Sequence, residues 1–108
     1  MCDKTMREYT VKIDRAARVD MLELRVFLMN TLSLQGAIRY ANAMRAEVES
    51  LGIYADLFRQ SSSKQLQAIH PRARHMPSHN KRWQYIFHIE GNWVIVDRIL
   101  QAKHIKEL

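Results

Sequence analysis

Two groupings of basic residues carry the possible chemistry of this chain. Arg72-Ala73-Arg74 sits inside a block from Lys64 to Arg82 that also holds Lys81, His70, His75 and His79, and no Asp or Glu falls between Asp56 and Glu90. A one-signed block of this kind suits a polyanion, nucleic acid being the usual one, or an acidic protein partner; a solvated basic loop has the same composition. Read as a short strand, Arg72-Ala73-Arg74 puts both guanidinium groups on one face, where they suit a single phosphate by bidentate contact. The second grouping, Lys103-His104, places a cation and an imidazole just after the last run of β-forming residues. Imidazole titrates near neutral pH and can deliver a proton there.

Positioning these groups falls to the segment Lys81–Leu108. Trp83, Tyr85, Phe87 and Ile89 alternate with Gln84, Ile86, His88 and Glu90, the period of a strand. Gly91-Asn92 is a two-residue hairpin turn with positive φ, and Trp93–Leu100 is a second strand rich in β-branched residues. A two-residue loop predicts that Ile89 faces Val94, Phe87 faces Val96, Tyr85 faces Arg98 and Trp83 faces Leu100. Both faces of this hairpin are largely apolar, so it is expected inside a covered sheet.

Upstream, Tyr9–Ile13 alternates as a first strand and Asp14 stands where a helix N-cap belongs. A helix runs from there to about Leu32. Its stripe of Val19, Leu22, Val26 and Met29, with Leu24, Leu28 and Leu32 beside it, implies contact with both a sheet and a second helix. Ser33 caps that second helix, whose inner face is Ala37, Ala41, Met44, Val48 and Leu51; Gly52 closes it as the C′ residue. Residues 53–58 form either a further helical turn or a docked loop. Lys64–Ile69 alternates weakly as an edge strand interrupted by Pro71, and Pro77–Asn80 is a turn leading into the hairpin. The order strand, helix, helix, then three or four antiparallel strands predicts an α+β fold with a helical hairpin packed on one twisted sheet.

A chain of 108 residues with 47% apolar composition fits one globular domain, residues 1–108, with residues 1–8 a frayed arm. No apolar run reaches the ~18 residues of a membrane span. Cys2 is the only cysteine, which excludes an internal disulfide and a thiolate zinc site and points to a reducing cytoplasm. The formal charge is +6, concentrated in the basic block.

The order of elements and the residues filling it resemble the RelE/ParE superfamily of toxins from bacterial type II toxin–antitoxin modules. The likeness spans Tyr9 to about His104. It rests on Tyr9-Thr10-Val11-Lys12-Ile13 followed by Ala16-Ala17 and Asp20-Met21-Leu22, and on a helix with Ala37, Ala41 and Leu51. The third piece is Arg74-His75-Met76-Pro77, and the last runs from Tyr85-Ile86-Phe87-His88-Ile89-Glu90-Gly91 to Val94–Leu100. The resemblance implies a toxin neutralised by an acidic antitoxin from an adjacent gene, in a hetero-oligomer. RelE-like members enter the ribosome and cut mRNA without metal or cofactor. Arg74, His104 and Lys103 would then be catalytic, with Arg72, Lys64, Lys81, Arg82, Arg98 and His75 contacting nucleic acid. Such cleavage needs a base for the 2′-hydroxyl, cations for the phosphate and an acid for the leaving 5′ oxygen. The base would be Lys64, His70 or His75. ParE-like members instead inhibit DNA gyrase and have no active site, and a degenerate member would only bind its antitoxin or nucleic acid. Ile105 after the histidine, Gln84 after Trp83 and the length of the helical hairpin depart from the nuclease pattern.

Overall fold

The computed structural model describes residues 8–105. The elements are β1 (Thr10–Ile13), α1 (Arg15–Thr31), α2 (Leu34–Tyr54), a 3-10 turn at Ala55–Leu57, the single helical turn α3 (Lys64–Gln67), β2 (Arg74–Pro77), β3 (Trp83–Glu90), β4 (Trp93–Gln101) and a 3-10 turn at Ala102–His104. The fold is α+β. One four-stranded sheet runs in the order β1-β4-β3-β2, with β1 parallel to β4 and the other pairs antiparallel.

The hairpin is covered on both sides, as its two apolar faces require. Tyr85, Phe87, Val94, Val96 and Ile99 face the core beneath α1 and α2, together with Leu24, Leu28, Met44, Val48 and Leu51. Ile86 lies on the opposite face in a smaller cluster with Leu66, Ala73 and Ile105. Segment 58–73 therefore acts as the second cover of the sheet.

The expected register holds only near the turn. Ile89 faces Val94 and Phe87 faces Val96, but a bulge between Ile86 and Phe87 leaves Asp97 without a partner. Beyond it Ile86 faces Arg98, Tyr85 faces Ile99, and Trp83 faces Gln101 rather than Leu100. A bulge adds one residue to one strand and so reverses which face every later side chain takes relative to an unbroken ladder. In the turn, Gly91 alone takes a positive φ, 61°, so one residue rather than the Gly91-Asn92 pair carries the left-handed conformation.

Helix α1 has two apolar sides. At 3.6 residues per turn, Ala17, Met21, Leu24 and Leu28 share one face, and these meet the core. Val19, Leu22, Val26 and Met29 fall on the opposite side and are exposed, Val26 by 60%. The stripe expected to pack against sheet and helix thus faces outward. Asp14 occupies the N-cap position without a side-chain cap, its N–H bonding Val96 O at 2.9 Å instead.

Three local expectations change for identifiable reasons. Lys64–Ile69 begins with a helical turn and not an edge strand, because the Ser63 hydroxyl accepts the Leu66 N–H at 3.3 Å. Residues 55–57 continue from α2 as a 3-10 turn, which decides between the two conformations open to 53–58. Gly52 is a buried interior residue of α2, not its C′ cap. The backbone of Tyr9 crosses directly over it, donating to Gly52 O at 2.7 Å, and a Cβ there would stand 2.9 Å from Tyr9 O. Alanine normally favours a helix interior by about 1 kcal/mol over glycine. Gly52→Ala should nonetheless destabilise the protein by about 1–3 kcal/mol by forcing β1 off α2, read as a lower urea midpoint with the helical circular dichroism retained.

Candidate functional site

The basic residues are distributed between two depressions at opposite ends of β3. At the turn end, Arg72 and Arg74 line a polar hollow with Tyr9, Asp56, Gln60, Ile89 and Gly91. Strand β2 begins at Arg74, so Arg72 is not its strand neighbour. It belongs to a turn in which the Arg72 N–H donates to His70 Nδ1 at 3.0 Å and the Ala73 N–H donates to His70 O at 3.1 Å. The two arginines still meet in one hollow, but by way of this turn.

Arg74 is partly a structural residue. It pairs with Phe87 across the ladder, and its Nη1 donates to Phe58 O at 2.8 Å, holding the start of the 58–73 cover. Phe58 in turn meets Phe87 edge-on, with centroids 6.1 Å apart. The Arg74 Nε–H is buried without a hydrogen-bond partner in the structure. The acid of this hollow, Asp56, accepts the Tyr9 hydroxyl at 2.8 Å.

At the other end, Arg98 and His104 line a cleft with Asp20, Glu23, Phe27 and Trp83. Arg98 makes a bidentate pair with Asp20, Nε to Oδ2 at 2.8 Å and an Nη to Oδ1 at 3.0 Å, and the Ile99 N–H donates to the same carboxylate at 2.9 Å. The Asp20 hydrogen bonds hold the guanidinium above its already high ordinary pKa, so it stays charged. Lys103 and His104 are exposed on the 3-10 turn that follows β4, tied down where Gln65 Nε2 donates to His104 O at 2.9 Å.

The two depressions share no lining residue, and Ile89 and Trp83, which mark them, lie six residues or roughly 20 Å apart along β3. Arg72 and Arg74 are thus together, as are Arg98 and His104, while Arg74 and His104 are not. Of the remaining candidates, Lys64 is exposed at the start of α3 and Arg82 is exposed in the turn before β3. Lys81, in the same turn, is the one non-glycine residue with positive φ, 64°, among the described residues. His75 Nδ1–H donates to Gln84 Oε1 at 3.0 Å on the face of the sheet away from the helices.

A third group lies on that same face. His88 is 5% exposed, and its Nδ1 stands 2.7 Å from Asp97 Oδ2. The His70 ring lies flat on the His88 ring, centroids 3.6 Å apart and planes within 6°. Burial, then the neighbouring His88, pulls the His70 pKa below its ordinary value; burial pushes Asp97 up, opposed by its hydrogen bond to His88. His70 is a candidate base on sequence grounds, but His88 and Asp97 read only as polar positions of a strand. The bulge that turns Asp97 toward His88 leaves no mark in the alternation of residue types. Among the described residues no group of His, Cys, Asp and Glu could hold a metal ion, and no helix is long and apolar enough to cross a membrane.

Asp20 is the acceptor on which both Arg98 and the edge of β4 depend. Asp20→Ala should lower stability by about 1–3 kcal/mol, because the Ile99 N–H and Arg98 lose their acceptor together. Asp20→Asn, which keeps an acceptor oxygen, should recover part of that loss in the same chemical denaturation series.

No protein-family model matches this sequence, and no curated protein matches it. Among solved structures, a chain described as "Chromosomal ParDE TA system from P. aeruginosa" superposes with a TM-score of 0.73 at 16% identity, over 88% of this chain and 97% of that one. The two chains share one fold.

Proposed function

We propose that this protein is the toxin of a type II toxin–antitoxin module, kept inactive by an acidic antitoxin encoded beside it. The observation that carries this reading is the unused apolar side of the helical hairpin. A groove between the helices is lined by Met29, Leu34, Ile38 and Ala41 and flanked by Arg25 and Arg45, and Leu34 is 62% exposed. An apolar groove rimmed by cations fits an amphipathic acidic segment, and a chain of net charge +6 favours such a partner over a second copy of itself. The shared fold with a chain of a ParDE system supports the same assignment.

Two modes of action fit. In the first, RelE-like, the protein cuts mRNA on the ribosome: a base (Lys64, His70 or His75) takes the proton of the 2′-hydroxyl as its oxygen bonds to the adjacent phosphorus, the P–O5′ bond breaks, and the departing 5′ oxygen takes up a proton. Arg74, with Arg72 beside it in one hollow, would hold the phosphate, Lys103 and His104 would serve the leaving group, and Lys64, Lys81, Arg82, Arg98 and His75 would contact the nucleic acid. The second mode is ParE-like inhibition of DNA gyrase, in which the same cations are binding groups and no reaction occurs; it needs no meeting of Arg74 with His104, which line different depressions.

Inducible expression in a bacterial host, with mapping of mRNA 5′ ends and a parallel gyrase supercoiling assay, separates these modes. New 5′ ends within translated codons that vanish when translation is blocked support the nuclease, and an Arg74→Ala/His104→Ala double variant that still arrests growth rules it out. Intact mRNA with lost supercoiling supports gyrase inhibition. Growth without any defect overturns the toxin reading.

The groove gives a separate prediction. Ile38 is exposed, so Ile38→Asp should change stability by less than about 0.5 kcal/mol, while co-expression with the neighbouring gene's product should no longer restore growth. Restored growth with Ile38→Asp would place the antitoxin on another surface.

A further inference from the structure

The sheet face away from the helices is covered by little. Leu66 and Ala73 pack on Ile86 and Ile105, with Ile69 and Leu100 at the margin. Most hydrogen bonds of this cover are internal: Ser61 N–H to Ala73 O, Gln67 N–H to Ser63 O, Ala68 N–H to Lys64 O and Ala73 N–H to His70 O. They shape the segment without attaching it. Attachment falls to the small apolar cluster, to Arg74 holding Phe58 O at the start of the cover, to Gln65 bonding His104 O, and to His70 lying on His88.

We infer that His70, His88 and Asp97 form an acid-released latch that holds segment 61–73 on the sheet. His88 donates from Nδ1 to Asp97, which fixes the lower ring. His70 accepts the Arg72 N–H at its own Nδ1, so the stacked ring is neutral and carries its hydrogen on Nε2. Protonating His70 turns that acceptor into a donor facing a donor. It also lays a cation flat on the ring of His88. Either consequence is relieved when the segment carrying His70 lifts and moves the ring into water.

The charged neighbours do not cancel this. Arg72 on the same segment and His88 on β3 oppose a charge on His70, whereas Asp97 on β4 and Glu90 at the end of β3 favour it, Glu90 standing 3.9 Å from His88 Nε2. Asp14, after β1, acts on Asp97. Burial and the stacked ring prevail, and His70 sits below its ordinary value of 6.5. A base lowered in this way contributes stability that is complete above pH 6.5 and lost as pH falls through its folded value. Asp97 acts in the opposite sense on overall stability, since its protonation relieves a buried charge. The latch must therefore be read locally and against a variant that retains Asp97.

Amide hydrogen exchange of the full chain at about pH 7.5 and about pH 5, corrected for the intrinsic pH dependence, tests the latch. Protection of residues 66–73 should fall about tenfold at the lower pH while the β3 and β4 amides keep theirs. His70→Phe stacks without titrating and should abolish that fall. Unchanged protection of 66–73 in the native sequence overturns the latch whatever the variant does, and an equal fall in His70→Phe overturns the assignment to His70. The latch stands independently of the toxin reading; only its consequence, that release would carry Arg72 away from Arg74, bears on that site.

Discussion

The structure turns on one extra residue in β4. Asp97 has no partner in the β3–β4 ladder, and its insertion decides what each face of the sheet carries beyond the turn. Without it Arg98 would stand opposite Tyr85, and with it Ile99 does, so that the position facing the core is apolar. The bulge also directs a carboxylate onto His88, and the next residue, Arg98, reaches Asp20 on α1. That second contact occurs where β1 has stopped, its last residue Ile13 pairing with Val96. Past that point, where no strand among the described residues continues beside β4, the Asp20 carboxylate takes the Ile99 N–H. One helix side chain thus extends the ladder and fixes α1 against β4. Buried polar groups demand partners, and the bulge and Asp20 are how this sheet supplies them.

A helix with apolar residues on opposite sides is poorly served by a single sheet. The face of α1 bearing Ala17, Leu24 and Leu28 is buried in the core, while Val19, Leu22, Val26 and Met29 are left half-exposed to water. Each exposed side chain of that size forgoes roughly 1.5–3 kcal/mol of burial. Such a surface is tolerable in a chain that spends its time in a complex. Of these residues Met29 also lines the groove between the helices, whose rim carries Arg25 and Arg45.

Much of the architecture was legible because periodicity reports it directly. The alternation over β3 and β4, the Ser33 cap and the inner face of α2 at Ala37, Met44, Val48 and Leu51 each stand as the residue pattern implies. What could not be read had specific causes. Two apolar stripes on α1 do not say which of them meets the sheet. A glycine near a helix end reads as a cap, whereas Gly52 is required by the chain crossing above it. The bulge preserves composition while changing register, so the pairing of Tyr85 with Ile99 and the juxtaposition of His88 with Asp97 were both hidden. The candidate site suffered most, because Arg72-Ala73-Arg74 looks like a strand until His70 bends it into a turn.

The basic block illustrates how charge density overstates a site. Within it, Arg74 gives one donor to a backbone carbonyl, His75 is engaged with Gln84, and His70 is stacked on His88 with its Nδ1 taken by the Arg72 N–H. Lys64, Arg72, Lys81 and Arg82 remain at the surface, spread over a helical turn, a loop and the tight turn before β3 rather than focused on one point. A field of that shape attracts an extended polyanion or an acidic chain along its length. It differs from the compact cluster that a single scissile phosphate would need. The fold also sets the imidazole of His104 in the depression at the Trp83 end of β3, apart from the hollow lined by Arg72 and Arg74.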